Sequence, residues 1–148
     1  MPGLAGKFLI DTNVLIYATL PNDRRHAQAN SILRDVRKAS ARAFVCTQNL
    51  GEMYPNLTGA KLKPPDSPEV ARRKIQSIAT LRRLEIIPIT YATVAKALEL
   101  CQSYNVRAQD YFDMQIVAAM ILNSIPTIIT ENADDFAAIR EIRAFDPF

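Results

Sequence analysis

The chain has 148 residues, 49% of them hydrophobic, enough for one domain with its own core and too many for a disordered chain. No apolar run approaches the roughly 20 residues that span a bilayer, so no membrane association is expected. The formal charge of +3, from 18 Lys and Arg against 15 Asp and Glu, permits a polyanionic partner without demanding one.

The opening MPGLAGK lacks the charged-then-apolar layout of a signal peptide, which predicts a cytoplasmic protein. KFLI (7–10) reads as a short buried strand. It runs into Asp11, Thr12 and Asn13, and NVLIYATL (13–20) then starts a helix with Thr12 or Asn13 as its N-cap. A second helix is predicted over 23–39, apolar at Ala27, Ile32, Leu33 and Val36. AFVCT (43–47) is a strand, and Thr47 caps a helix through QNLGEMY that Pro55 and Gly59 end or kink. KLKPPDSPE (61–69) is a loop, and Ser67 with Pro68 opens a helix to about Arg83. LEIIPI (84–89) is a strand, 90–104 and 108–123 are helices, and IPTIIT (125–130) is a strand. ADDFAAI forms a helical turn and IRAFDPF a short final strand. Strands alternating with helices predict βαβ units, hence an α/β fold with a parallel sheet between two helical layers.

Cys46 and Cys101 sit in apolar contexts without CxxC spacing and are expected to be reduced, buried thiols. The one histidine, His26, is expected to be a packing or surface residue. Basic residues cluster at Arg24 and Arg25, at Arg34, Arg37 and Lys38, at Lys61 and Lys63, at Arg72, Arg73 and Lys74, and at Arg82 and Arg83. Each cluster alone reads as a solvated helix face. Together they suit a phosphate backbone.

The acidic residues carry the chemistry. Burying an unpaired carboxylate is expensive, so Asp11, set between two apolar segments, needs a partner. Ligands in open parallel sheets bind beyond the carboxyl ends of the strands. Asp11 follows the first strand, Glu52 lies one turn into the helix after the second, and Asn132, Asp134 and Asp135 follow the strand ending at Thr130. Asp113 begins the helix before that strand. All can reach one sheet edge, where a hard divalent cation, Mg²⁺ or Mn²⁺, would relieve their mutual repulsion. Taken singly, Asp11 is also a good helix N-cap, Glu52 a good solvated helix residue, and Asp134 and Asp135 ordinary surface acids. Asp113 stands among Tyr111, Phe112, Met114, Ile116 and Val117, where a surface role is hard to supply. Asp110, three residues earlier, shares its face and either joins the site or caps the helix.

With these residues in place, the sequence resembles the PIN domain family, in particular the ribonuclease toxins of VapBC-type toxin–antitoxin modules. FLIDTNVLIYA resembles the family's opening strand and first acid, and CTQNLGEMY the helix bearing the second. YFDMQIVAAMILNSIPTIITENADDF resembles the third-acid helix, the next strand and the T-x-N-x-x-D-F turn. FDPF resembles the closing Asn-Pro-aromatic segment, with Asp146 for the Asn. The resemblance implies a three-layer α/β/α sandwich with a central, mostly parallel sheet. It implies that Asp11, Glu52 and Asp113 are catalytic, metal-binding acids and that Thr12, Asn13 and Thr130 stand close behind them. Asn132 departs from the Asp often found there; Asp135 compensates, or the site holds one ion weakly until RNA brings phosphate oxygens.

The activity implied is Mg²⁺- or Mn²⁺-assisted hydrolysis of RNA phosphodiester bonds, with Glu52 or Asp113 a candidate base. A cognate antitoxin and homodimerisation are implied as well. Leu15, Tyr17, Leu20 and NLGEMYPNLTG either line a groove for a partner helix or belong to the core. Two other readings compete. One is a haloacid dehalogenase-type phosphatase with Asp11 as nucleophile, weakened by Asn13 where a second Asp is usual. The other is an RNA- or protein-binding module that kept the fold and lost activity.

Overall fold

The computed structural model describes residues 6–36 and 40–148. The elements are β1 (Gly6–Ile10), α1 (Thr12–Tyr17), α2 (His26–Asp35), β2 (Ala41–Cys46), α3 (Thr47–Thr58), α4 (Pro68–Ala79), β3 (Leu84–Ile87), α5 (Tyr91–Tyr104), α6 (Tyr111–Leu122), β4 (Thr127–Ile129), α7 (Ala133–Phe136) and β5 (Arg143–Phe145). Five strands form one sheet in the order β3-β2-β1-β4-β5, and every neighbouring pair is parallel.

Strand alternation sorts the core into two halves. Phe8, Ile10, Ala43, Val45 and Ile129 face one side and pack with Val14, Ile32, Met53, Leu57 and Ile78 of α1 to α4. Leu9, Phe44, Cys46 and Ile128 face the other and pack with Leu100, Val117, Met120 and Phe136 of α5 to α7. The expected three layers are thus present. Residues Met114 to Met120 are buried in succession, so α6 is apolar on every side, and Asp113 in its first turn is its one charged residue. Among the described residues, no helix is long and apolar enough to cross a membrane.

Several boundaries differ from the sequence reading. The N-cap of α1 is Asp11, not Thr12 or Asn13, because its carboxylate accepts the Thr12 N–H. The second helix begins at His26, after Asp23 has turned the chain by accepting from the Arg25 N–H, and its predicted end at 37–39 lies outside the described residues. Pro55 does not end α3, which runs to Thr58, because Met53 and Leu57 anchor it to the core on both sides of the proline. Gly59 closes it: a Cβ there would stand 2.6 Å from the Pro55 carbonyl oxygen.

Candidate active site at the carboxyl edge of the sheet

β1 and β4 are neighbours, yet β1 leads on to β2 and β4 to β5, on opposite sides. A crevice opens at such a switch point, beyond the strands' carboxyl ends. Asp11 sits at its base, 7% exposed, with its N–H bonded to the Ile129 carbonyl of β4. Oδ1 accepts the Thr12 N–H at 2.8 Å and Asn49 Nδ2 at 3.3 Å. Oδ2 accepts the Thr130 hydroxyl at 2.8 Å and Asn13 Nδ2 at 3.4 Å. Part of the partnership that a buried carboxylate needs thus comes from the protein: two close donors and two amides at 3.3 and 3.4 Å, too long to claim every lone pair. Burial still pushes its pKa up; the Thr130 and Thr12 bonds oppose this, and the charges of Glu52 and Asp135 add to it.

Around Asp11 the polar groups interlock. Thr12 Oγ1 lies 3.1 Å from Glu52 Oε2, and Gln48 Nε2 donates to Glu52 Oε1 at 2.7 Å. Asn13 Oδ1 accepts the Glu131 N–H, and Thr130 Oγ1 accepts from Asn13 Nδ2 and the Asn132 N–H. Asp113 differs: it is half-buried, and among the described residues no donor reaches its carboxylate. Burial, then the charges of Asp11, Asp135, Asp110 and Glu52, push its pKa up to about 6. Asp110 itself is exposed and makes no capping bond.

A cavity of about 480 Å³ is lined by Asp11, Thr12, Asn13, Glu52, Asp113 and Asn132, and extends along Tyr17, Leu20, Arg25 and Lys61. Asp134 and Asp135 are exposed on α7 and do not line it, although Asp135 is near enough to act on Asp11 and Asp113. Of the proposed groove residues, Leu15, Met53 and Leu57 are core, while Tyr17 and Leu20 face the cavity. Arg25 is consumed inside the protein. It pairs with Asp23 at 2.9 Å and Glu131 at 2.6 Å and stacks on the Tyr17 ring. Tyr17 in turn donates a short hydrogen bond to Glu131. Burial and that bond push its pKa to about 12, so it stays a neutral phenol. Arg73 and Lys74 are likewise paired, with Glu69 and Asp66. Lys61 is exposed and has no partner among the described residues, which leaves it as the cavity's available cation.

His26 is structural, with Nδ1 2.9 Å from the Tyr17 carbonyl and Nε2 at the Asn30 amide. Cys46 and Cys101 are free thiols; Cys46 is buried as expected, whereas Cys101 is only partly so. Burial, with Asp11 and Glu52 nearby, pushes the Cys46 thiol up to about 12, so it stays protonated and inert.

Asn49 went unnoticed in the sequence. It is fully buried, accepts the Cys46 N–H at 2.8 Å, and donates to Asp11 and Thr12. Asn49→Ala would orphan that N–H and open a small void. It should lower unfolding stability by about 2–3 kcal/mol, a fall in melting temperature of about 5–10 °C by calorimetry.

The donor set is hard oxygen throughout, the kind that holds Mg²⁺ or Mn²⁺ and not a soft metal. Among the described residues no three His, Cys, Asp or Glu side chains stand close enough to enclose an ion by themselves. The arrangement therefore fits an ion held by one or two carboxylates and completed by water and substrate phosphate, as is usual for Mg²⁺.

The family model for the PIN domain matches residues 8–142. No curated protein sequence matches the chain. Among solved structures, VapBC2 from Rickettsia felis, bound to a DNA fragment from its promoter, is similar with a TM-score of 0.67 at 17% identity, over 95% of this chain and 98% of that one. VapC20 of Mycobacterium tuberculosis, a toxin that cleaves the sarcin-ricin loop, gives 0.65 at 19% identity, over 92% and 98%. A toxin–antitoxin complex from Klebsiella pneumoniae gives 0.63 at 21%, over 95% and 97%. At these identities the likeness is one of fold.

Proposed function

The chain belongs to the PIN domain family, a family of nucleases, and from that premise we propose that it is a metal-dependent endoribonuclease, the toxin of a toxin–antitoxin pair. One observation carries the reading. Asp11, Glu52 and Asp113, from three separate elements, line a single cavity at the switch point of the sheet. Asp11, Glu52 and Asp113 would share Mg²⁺ or Mn²⁺, one or two of them binding it directly and the rest through its waters; Asn132 on the cavity wall and Asp135 outside the lining are the candidates for a further position. The ion, when bound, supplies neutralisation of phosphate charge and a water activated for attack.

The chain's own residues do the rest. Asp11 is fixed by Thr12, Thr130, Asn13 and Asn49 and gives the site a rigid base. Glu52 is steadied by Thr12 and Gln48. Asp113, whose carboxylate no donor among the described residues reaches, is the group free to take a proton from the attacking water. Lys61 at the cavity wall draws the RNA backbone toward an otherwise acidic site. Lys61→Ala should raise the Kd for RNA about three- to tenfold whatever the sequence, and reduce the slope of log Kd against log salt by about 0.7.

The partner proposed is a cognate antitoxin, because the similar structures include toxin–antitoxin complexes. A homodimer is proposed with it; Tyr91 and Leu98 on α5 and Phe112 on α6 leave apolar surface for a second copy. The cytoplasm, where RNA is met, is the place proposed for the activity. The test is a matched pair of oligonucleotides, RNA and DNA of one sequence with the same hairpin, incubated with the protein and Mg²⁺. Cleavage of the RNA alone supports a ribonuclease. Cleavage of both makes it a nuclease without sugar preference, and RNA binding without cleavage makes it a binding module.

A further inference from the structure

α3 and α6 lie on opposite faces of the sheet, yet each carries one of the cavity's carboxylates, Glu52 on α3 and Asp113 on α6. Packing across the sheet cannot set their relative position, because the sheet itself separates the two helices. Among the described residues, the side-chain hydrogen bonds between them all run through Gln48. Its Nε2 donates to Glu52 Oε1 at 2.7 Å and to the Phe112 carbonyl at 3.1 Å, immediately before Asp113. Its Oε1 accepts from Gln115 Nε2 at 2.7 Å, and Gln115 Oε1 accepts from the Tyr111 hydroxyl at 2.6 Å. Gln115 is buried in the otherwise apolar α6, where an amide without partners would be costly.

The direction of this chain is fixed from one end. A carboxylate only accepts, so Gln48 must turn its NH₂ to Glu52 and its oxygen to Gln115. Gln115 must then turn its NH₂ to Gln48 and its oxygen to Tyr111, whose hydroxyl donates. No other orientation of the two amides satisfies every bond. The chain therefore has one low-energy state, and that state clamps the first turn of α6 to the Glu52 carboxylate.

We infer that Gln48 and Gln115 are positioning residues: through the chain Tyr111–Gln115–Gln48–Glu52 they set the Glu52 and Asp113 carboxylates against each other for a shared divalent cation. Neither glutamine needs to touch the ion. The inference rests on the proposed metal site, and groups that orient metal ligands typically matter tenfold to a hundredfold in affinity.

The test is a Mn²⁺ titration of the RNA-free protein, followed by the free-ion signal in electron paramagnetic resonance. Gln115→Met keeps the volume and removes the donor to Gln48. It should weaken Mn²⁺ binding about tenfold, and Gln48→Met about the same or more. Because Gln115 acts through Gln48, the double variant should be no weaker than Gln48→Met alone, whereas two unrelated packing defects would multiply. Tyr111→Phe, which removes one hydroxyl and no packing, should weaken binding two- to threefold and covers the case in which Gln115→Met does not fold. Wild-type affinity in both Gln115→Met and Tyr111→Phe overturns the inference and leaves the metal site standing, as do multiplicative losses in the double variant. A wild-type protein that binds no Mn²⁺, either alone or with RNA added beyond what the RNA takes up by itself, overturns the metal site, and the inference with it.

Discussion

Asp11→Asn should reduce RNA cleavage about 10³-fold, equivalent to ~4 kcal/mol of transition-state stabilisation, while the protein stays folded. Loss of activity is expected because Asp11 is the most rigidly held of the three carboxylates, with both oxygens fixed by donors from α1, α3 and the segment after β4. The fold should survive because Asn is as good an N-cap as Asp and keeps the bond to the Thr12 N–H. Its NH₂ then faces Thr130 Oγ1, which already accepts from Asn13 and the Asn132 N–H. That clash costs about 1 kcal/mol and is partly offset by removal of a buried charge. Melting temperatures within a few degrees of each other, with cleavage lost, are the expected pair of results. Cleavage within tenfold of wild type in a folded Asp11→Asn protein would remove Asp11 from the mechanism.

Asp113→Asn should act in two directions, lowering cleavage about 10²-fold and stabilising the metal-free fold. The sign follows from its pKa. Folding raises it from an ordinary 3.8 to about 6, by burial and by the charges of Asp11, Asp135, Asp110 and Glu52. Above pH 3.8 the unfolded chain releases this proton while the folded one retains it, so stability falls as pH rises toward about 6 and stays lowered beyond. After allowance for its half-exposed position, the loss is on the order of 1 kcal/mol. In EDTA, Asp113→Asn should therefore melt about 2–4 °C above wild type at pH 7–8, and the gap should close below pH 4. A gap of the opposite sign at pH 7, or one that does not change with pH, would contradict the account. Gains of this kind are expected where a fold tolerates repulsion for the sake of a site.

How far the sequence reveals the site depends on what makes each position legible. The end of β1 is legible because its apolar run stops at a carboxylate, and the end of a strand is where a parallel sheet binds its ligand. The extension of α3 past Pro55 is not, since burial of Met53 and Leu57 decides it and local rules point the other way. Gln48, Asn49 and Gln115 were passed over for a related reason. A polar residue on a helix is ordinarily solvated, and what makes these three matter is a partner such as Asp11, 38 residues from Asn49, or Gln48, 67 residues from Gln115. Arg25 misleads in the opposite sense. Beside Arg24 it reads as a phosphate ligand, whereas Asp23 and the distant Glu131 have already claimed it. Asn132 and Asp135 could be placed only in space, the one on the cavity and the other outside its lining.

The most direct measurement is cleavage of a structured RNA by the purified protein in Mg²⁺, in Mn²⁺ and in EDTA, beside the Asp11→Asn and Asp113→Asn proteins. The account predicts cleavage with either ion, none in EDTA, and recovery when the ion is restored, with both variants inert or nearly so. Cleavage that persists in EDTA, or that survives in both variants, would contradict it.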